Sequence, residues 1–485
     1  MSNRHPSPKP AAAGRLRDLL DAGTFQELRF SDQTGSGADK PAAAKSLVVG
    51  LGRVDSAPVC VFAQDASVWG GSLGTADGAQ IAALQQYALK RKWPIIGIWD
   101  GGGARIQDGV GALGAFGKIF RGNVELAGQI PQISIVLGAC AGGACYSPAL
   151  TDFIIMVNDQ SRMFLTGPDV TKELTGENVS AEQLGGCHLH TETSGVAHYA
   201  AAADNDAFQY ARELISFLSA ESQGKFEHYE SPAHPIELPA SATQPYDMRN
   251  LLRSIFDASS FLEVQPAFAP NLITGYARIA GIPVAVVANQ PMQLAGALDV
   301  KAAAKGARFV TTSSKLRLPI ATFVDVPGFL PGIEQEEAGI IHNGADLVSA
   351  YANAQVPLLT IITRKAFGGA FIALGSKSLG ADFVSAWPDS QIGIMDAAAA
   401  IGIVKRRELA NVLATQGQTA ADIARAAYTR AYRQTQTPEQ ALLAGQIDAI
   451  IAPDQTRAHL VNALGNLPSA LVDADFRPVT RLAAP

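Results

Sequence analysis

Charge and cysteine are scarce in this 485-residue chain. Only 17% of its residues are charged, the formal net charge is −6, and no block of basic residues occurs. A nucleic-acid partner is therefore not expected. No apolar run reaches the roughly 18 residues that a membrane-crossing helix needs, so no membrane partner is expected either. The opening MSNRHPSPKPAAAG lacks the apolar core of a signal peptide and reads as a flexible tail over residues 1–14. Four cysteines (Cys60, Cys140, Cys145 and Cys187) show no CxxC spacing, which points to a reduced, cytoplasmic protein. GxxxxGK[ST] is missing, and so is GxGxxG with its distant acidic residue. Ser147, in CYSPAL, lacks the GxSxG elbow of a serine nucleophile. HLHTETSGVAH supplies His188, His190 and His198, but no carboxylates complete a ligand set, and no metal is expected.

Apolar residues and an internal repeat are present instead. Hydrophobic residues make up 47% of the chain, enough for a large core. VVGLGRVDSAPVCVFAQD, from Val48, matches ITGYARIAGIPVAVVANQ, from Ile273. Arg53 meets Arg278, Pro94 meets Pro319 and Asp100 meets Asp325, all at a lag of 225. Pro131 meets Pro357 and Gly142 meets Gly368 at a lag of 226. One register held over so many anchors reads as a duplicated fold. In each copy an alternating stretch suggests an antiparallel hairpin, the first turning at Asp55-Ser56. Short apolar runs followed by glycine and then by helical periodicity indicate parallel βα units. AESQGKFEHYESPAHPIELPASATQPYD is rich in Pro, Ser and charge and marks the break between copies. The expected domains are residues 15–232 and 233–485.

Two glycine clusters carry the chemistry. ACAGGACYSPAL, from Ala139, follows a strand and opens a helical segment, and KAFGGAFIALG, from Lys365, repeats it. Paired glycines there bare backbone N–H groups that can stabilise a developing oxyanion. Close helix–strand packing would also select small residues, and the duplication in register favours the oxyanion role. DGGGARIQDG, Asp100 to Gly109, is not a dinucleotide loop by its spacing, and its glycines let backbone approach a ligand closely. No side-chain nucleophile competes with backbone stabilisation of negative charge.

These residues give the chain a family likeness. GGARIQDGV, IPQISIVLGACAGGACYSPALTDFIIMV, LGGCHLHTETSGVAH, FVDVPGFLPGIEQE and ITRKAFGGAFIALGSKSLGADF stand in one order. In these stretches the chain resembles the carboxyltransferase β subunit of biotin-dependent acyl-CoA carboxylases, most nearly the propionyl-CoA carboxylase type. The resemblance implies an α/β fold, a tandem duplication of a crotonase-like ββα superhelix, assembled as a homo-oligomer, usually a hexamer. Acyl-CoA would sit on the N-terminal domain against Gly102, Gly103, Ala104, Arg105 and Ala141. Arg105 would either steer a CoA phosphate or form a structural ion pair. Gly142 and Gly143 would hold the thioester oxyanion. Biotin, carried on a separate biotin carboxylase or carboxyl carrier polypeptide, would reach the C-terminal domain near Phe329, Pro331, Gly368 and Gly369. A second oxyanion hole would fall at Met395, Asp396 and Ala397.

The resemblance implies transfer of CO2 from carboxybiotin to the α-carbon of a short-chain acyl-CoA, propionyl-CoA or acetyl-CoA, with no protein general base. An acyl-CoA decarboxylase subunit of the same fold, or a noncatalytic CoA-binding paralogue, are the alternative readings. Two departures from the family bear on the site. Gly101 replaces the serine of DSGGAR, and Asp396 replaces the glycine of the second hole. At a lag of 230, Asp396 pairs in sequence with Thr166. Its carboxylate is expected to turn toward Lys405 or Arg406, or to be held protonated.

Overall fold

A computed structural model describes residues 12–30, 46–219, 230–232, 235–239 and 244–466. The chain divides into two compact units, Met1–Gly224 and Lys225–Pro485.

In the first unit, helix α1 (Ala12–Leu19) precedes strand β1 (Gln26–Glu27). The expected tail over residues 1–14 is therefore too long. Ala12 is buried and already helical, because the Leu16 and Leu19 face of α1 needs the core, while residues 1–11 lie outside the described residues. Strands β2 (Leu47–Val54) and β3 (Ala57–Gln64) form the expected hairpin. Asp55 and Ser56 take φ of 47° and 70°, the left-handed pair of a two-residue turn that suits strand twist. Helix α2 (Thr75–Arg91) leads into β4 (Ile95–Gly101), and α3 (Val110–Leu126) leads into β5 (Gln132–Ala141). Strands β6 (Phe153–Val157) and β7 (Arg162–Phe164), helix α4 (Pro168–Thr175), β8 (Tyr199–Ala201) and α5 (Asp204–Leu218) follow. The sheet order is β1-β2-β3-β4-β5-β6-β8, with β7 paired to β5. From β3 onward neighbours are parallel, and β3, β4 and β6 are buried along their whole length, as strands covered on both faces must be. Ile81, Leu84, Phe116 and Ile119 of α2 and α3 pack against Trp99 and Val136 of the sheet.

The second unit repeats this plan. Its strands are β9 (Leu262–Val264), β10 (Leu272–Ile279), β11 (Ile282–Asn289), β12 (Ile320–Val326), β13 (Leu358–Phe367), β14 (Phe383–Ala386), β15 (Gln391–Gly393) and β16 (Ala449–Ile450). Helices α6 (Val300–Lys315) and α7 (Ile340–Ala352) correspond to α2 and α3. The order β16-β14-β13-β12-β11-β10-β9, with β15 on β13, is the first sheet over again. Even the irregularities coincide. The β4–β5 ladder slips between Trp99 and Gly101, and the β12–β13 ladder slips between Val324 and Val326. Such a bulge bends a strand and re-aims its end. In both units the re-aimed end carries the paired glycines. The fold is mixed α/β with two mainly parallel sheets.

Candidate active site

The carboxyl ends of β4, β5 and β7 gather the first cluster, where ligands of parallel sheets generally bind. Ala141 is extended, with φ −116° and ψ 156°. Gly142 then turns left-handed, with φ 66°, a conformation that favours glycine. A one-turn 3-10 segment, Gly142–Cys145, runs into a short helix, Tyr146–Ala149. Gly143 is different. Its φ is not left-handed, it is exposed, and a β-carbon there would meet nothing within 4 Å. Close packing therefore does not explain glycine at this position. The residue is exposed, and the space that a side chain would occupy is empty.

The DGGGARIQDG turn packs beside it. A β-carbon on Gly103 would lie 2.7 Å from the Ala141 carbonyl oxygen, so Gly103 is fixed by close approach to the strand end. A side chain on Gly101 would collide with the Gly71 carbonyl, which explains why serine does not stand there. Gly102 is exposed and Ala104 half-buried, Ala104 bridging to Leu73. Arg105 takes the structural alternative. Its Nη2 donates to Asp77 Oδ2 at 2.7 Å, Ser46 Oγ at 2.6 Å and Ser72 O at 2.8 Å. Through Nη2 the guanidinium clamps this loop to the start of α2.

The second cluster has the same backbone. Phe367 is extended and Gly368 has φ 62° at the start of helix α8 (Gly368–Ala373). The surroundings differ. A β-carbon on Gly368 would be 2.9 Å from the Ile394 carbonyl, and one on Gly369 would be 3.9 Å from the Phe329 ring. Phe329 bridges to Leu298 as Ala104 does to Leu73, so the two residues hold one position in two copies. Phe329, Gly368 and Gly369 are thus brought together, while Pro331 is exposed on the following loop.

Asp396 requires correction on two counts. Strand β7 begins at Arg162 and β15 at Gln391, and the helices after them have N-caps Gly167 and Asp396. Asp396 thus pairs with Gly167, not Thr166, because the lag at this point is 229. Nor does its carboxylate reach a cation. It caps helix α9 (Ala397–Val404), accepting from Ala398 N–H at 2.9 Å and Ala399 N–H at 3.4 Å. Lys405 pairs with Glu408 instead, at 2.7 Å. Capping of this kind was readable in the sequence, since Asp before a helical run is a preferred N-cap. Gln436, buried, fixes the same turn by donating to the Met395 carbonyl at 2.7 Å, a contact that sequence spacing does not announce.

The remaining candidates are structural. Ser147 is buried and donates to Asn123 Oδ1 at 2.8 Å. His190 Nε2 lies 2.8 Å from the Met163 carbonyl, His198 Nδ1 accepts from Ile154 N–H at 3.0 Å, and His188 pairs with Glu192. Among the described residues no group of three or more His, Cys, Asp or Glu could hold a metal ion, and no helix is long and apolar enough to cross a membrane.

Comparison with known proteins agrees with this architecture. A family model described as the carboxyl transferase domain matches residues 3–474. The chain is 46% identical to a biotin-dependent acetyl-/propionyl-coenzyme A carboxylase beta5 subunit of Mycobacterium tuberculosis, over 95% of this chain and 87% of that one. It is 43% identical to the methylmalonyl-CoA decarboxylase subunit alpha of Veillonella parvula, over 97% of this chain and 92% of that one. Among solved structures, a transcarboxylase 12S described as a hexamer with methylmalonyl-coenzyme A bound superimposes with a TM-score of 0.87 at 38% identity, covering 98% of this chain and 92% of that one. With a family model spanning nearly its whole length, the chain belongs to the carboxyl transferase domain family.

Proposed function

We propose that this chain is the carboxyltransferase subunit of a biotin-dependent carboxylase acting on a short-chain acyl-CoA, propionyl-CoA or acetyl-CoA. The observation that carries the reading is the left-handed glycine turn, present in both copies, with Gly143 exposed and the space a side chain would fill left empty. An α-carbanion of a thioester needs its oxygen stabilised, and one lost oxyanion donor costs about 2.7–4 kcal/mol. In this reading Gly142 and Gly143 hold the thioester oxygen. Gly102, Gly103, Ala104 and Ala141 let the acyl-CoA lie close to backbone.

Carboxybiotin on a separate carrier polypeptide supplies the CO2. The residues of the second unit fit such a group in part. Gly368 repeats the turn of Gly142, and Phe329 offers an apolar edge beside Gly369. Asp396 places its carboxylate on the Ala398 and Ala399 N–H groups, and Ala397 is buried, so in this arrangement the second oxyanion hole is the part that fits least well. The first unit is assigned the acyl-CoA side and the second the biotin side. Large apolar residues stand exposed in both units, Ile106 and Val110 in the first and Ile341 and Ile394 in the second, and their burial favours a homo-oligomer, a hexamer like transcarboxylase 12S.

Reconstitution with a biotinylated carrier and biotin carboxylase, ATP and labelled bicarbonate tests the reading. Label should enter propionyl-CoA or acetyl-CoA only when the carrier is biotinylated. The decarboxylase relative motivates a second reading. Carboxyl loss from methylmalonyl-CoA to the carrier, with no net labelling of acyl-CoA, would replace the carboxylase assignment by that one.

A further inference from the structure

An exposed tryptophan stands on strained backbone beside the glycine loop of the first unit. Trp69, Gly70 and Gly71 form one turn in which each residue is left-handed, with φ of 52°, 59° and 68°. Bulky side chains rarely take that conformation. Leu294, Ala295 and Gly296 repeat the turn at a lag of 225, with φ of 48°, 53° and 80°. The strained turn therefore belongs to the duplicated backbone, and what it displays differs between the copies. Trp69 is 65% exposed, whereas Trp93 is half-buried and Trp99 and Trp387 are buried.

The turn is tied to the loop assigned to acyl-CoA. Gly102 N–H donates to the Gly70 carbonyl at 3.0 Å, and a β-carbon on Gly71 would collide with the Asp100 carbonyl. Gly103 in turn abuts the Ala141 carbonyl, next to Gly142. Backbone thus runs in contact from Gly142 to Trp69. Along it Gly70, Gly102 and Gly143 are exposed. A β-carbon on Gly70 or Gly143 would meet nothing within 4 Å, and one on Gly102 only the Gly70 carbonyl oxygen, at 3.9 Å. Packing does not call for glycine at these places. Nor does the turn demand glycine at position 70, since Ala295 takes the same conformation in the second unit. There Ala295 and Pro327 stand in place of Gly70 and Gly102, and Leu294 in place of Trp69. The strip of bare backbone is confined to the first unit, where it ends on an indole. Bare backbone lets a ligand with amide groups lie close. The Arg105 guanidinium covers one face of the indole, 5.9 Å from the ring centroid, and the rest of the ring faces solvent. Such a surface suits a flat aromatic base better than an acyl group of two or three carbons.

We propose that Trp69 is a stacking platform for the adenine ring of the acyl-CoA, and so a specificity residue that separates CoA from acyl carriers without a base. The pantetheine arm then lies along the backbone of Gly143, Gly142, Gly103, Gly102 and Gly70, between thioester and base. This assignment rests on the acyl-side reading of Gly142 and Gly143.

The test compares the parent with Trp69→Leu, which places the residue of the second unit in the first, and Leu294 shows that leucine fits the turn. In the full-length chain assembled with its biotinylated partners, kcat/KM is measured for propionyl-CoA and for propionyl-pantetheine. The preference for the CoA ester should drop about tenfold in Trp69→Leu, the size of one lost base–aromatic stack, and chiefly through KM. Trp69→Phe, which keeps an aromatic face, should retain most of the preference. In the full-length chain alone, CoA should shield the exposed indole from quenching of its fluorescence by acrylamide. ADP at high concentration should do the same and pantetheine should not. An unchanged preference in folded Trp69→Leu, or shielding by pantetheine as full as that by CoA, would overturn the platform. So would an indole that acrylamide cannot reach before CoA is added, with altered sedimentation of Trp69→Leu, because a second copy then covers the ring. Equilibrium dialysis separates the two readings. CoA bound without shielding of Trp69 overturns this assignment alone, and a parent chain that binds no CoA overturns the acyl-side reading itself.

Discussion

The two copies keep one backbone and change what surrounds it. Gly142 and Gly368 share the left-handed turn, with φ of 66° and 62°. At one matching position the first copy has Ala104 and the second has Phe329, whose ring lies 3.9 Å from a β-carbon on Gly369. After the next strand the first copy has Gly167 at the helix N-cap with no side-chain cap, and the second has Asp396. Both copies thus keep the glycine turn, which depends on glycine and on the ladder irregularity before it. Side chains around that part were free to diverge toward different occupants. The copy with the emptier turn suits an entering ligand oxygen, and replacing its glycine tests the comparison most severely.

Gly143→Val should fold, because its β-carbon meets no protein atom within 4 Å and its φ is one that valine can adopt. Carboxyl transfer should fall by roughly 10²–10³-fold, because the valine side chain intrudes where the thioester oxygen would sit and keeps it from the oxyanion donors. Gly369→Val, whose β-carbon would touch Phe329, should perturb the biotin side and leave acyl-CoA binding intact. Steady-state rates with separate titration of acyl-CoA and carrier decide this. A folded Gly143→Val variant of near-normal activity removes the assignment.

A second contrast lies beneath the turns. Asp100 and Asp325 are both buried at equivalent strand ends. Asp100 accepts from Arg15 Nη1 at 2.9 Å, and both side chains are almost fully buried. Among the described residues, Arg15 Nε and Nη2 have no hydrogen-bond partner, so this pair is imperfectly satisfied. Arg15→Met should still cost about 3–5 kcal/mol, since it takes the Arg15 guanidinium away from a buried carboxylate. Urea denaturation measures the loss, and a cost under about 1 kcal/mol, the level of a surface pair, would refute a buried-pair role.

Asp325 should behave oppositely. Arg364 Nε stands 4.0 Å away, and burial raises the Asp325 carboxyl above its usual range. A carboxyl raised on folding binds its proton more tightly in the folded state. The folded state therefore bears a cost above the raised value, and that cost fades as pH falls toward the unfolded value near 3.8. Asp325→Asn should therefore hold or raise the melting temperature at neutral pH, with the advantage vanishing below about pH 4. Asp100→Asn should lower it. Equal losses from both substitutions would mean that the two sites are balanced alike.

The fold was legible because duplication leaves paired anchors at a fixed lag, and because glycine after a buried strand has few other uses. Pairs such as Asp100 with Asp325 mark matching strands in the sequence itself. Side-chain commitments were less legible. Arg105 sits in a glycine-rich turn like a phosphate ligand, yet Asp77, a turn into α2, takes it. The partner lies 28 residues earlier in the chain, and spacing says nothing of that approach. Phe329 meets Gly369 only because loop and strand end fold together. The pairing of Asp396 is one residue off because the lag rises to 230 at β14, where Phe153 meets Phe383, and falls back to 229 at β15, where Arg162 meets Gln391, a step that only strand pairing and helix caps reveal.

Asp396→Gly carries the smallest expected effect and sharpens the comparison most finely, since it gives the second copy the N-cap residue of the first. The carboxylate holds Ala398 and Ala399 N–H groups, so its removal frees two donors at the start of α9. Replacing an Asp cap by glycine costs only a few tenths of a kcal/mol, so stability should barely change. The electrostatic consequence is larger in principle. An exposed carboxylate about 4 Å from a developing oxyanion opposes it by roughly 4 kcal/mol at an effective dielectric near 20, and solvent screening at this exposed site reduces that figure. Two N–H groups facing the carboxylate offset part of its charge in the parent. Carboxyl transfer should therefore be preserved or should rise, and the salt dependence of the rate should weaken because one screened repulsion is gone. The measurement is initial rate against ionic strength with the biotinylated partner present. A fall of about tenfold, or 1.4 kcal/mol, in a stable variant would instead make the Asp396 side chain a working part of the biotin-side half-site, with the cap serving to aim it.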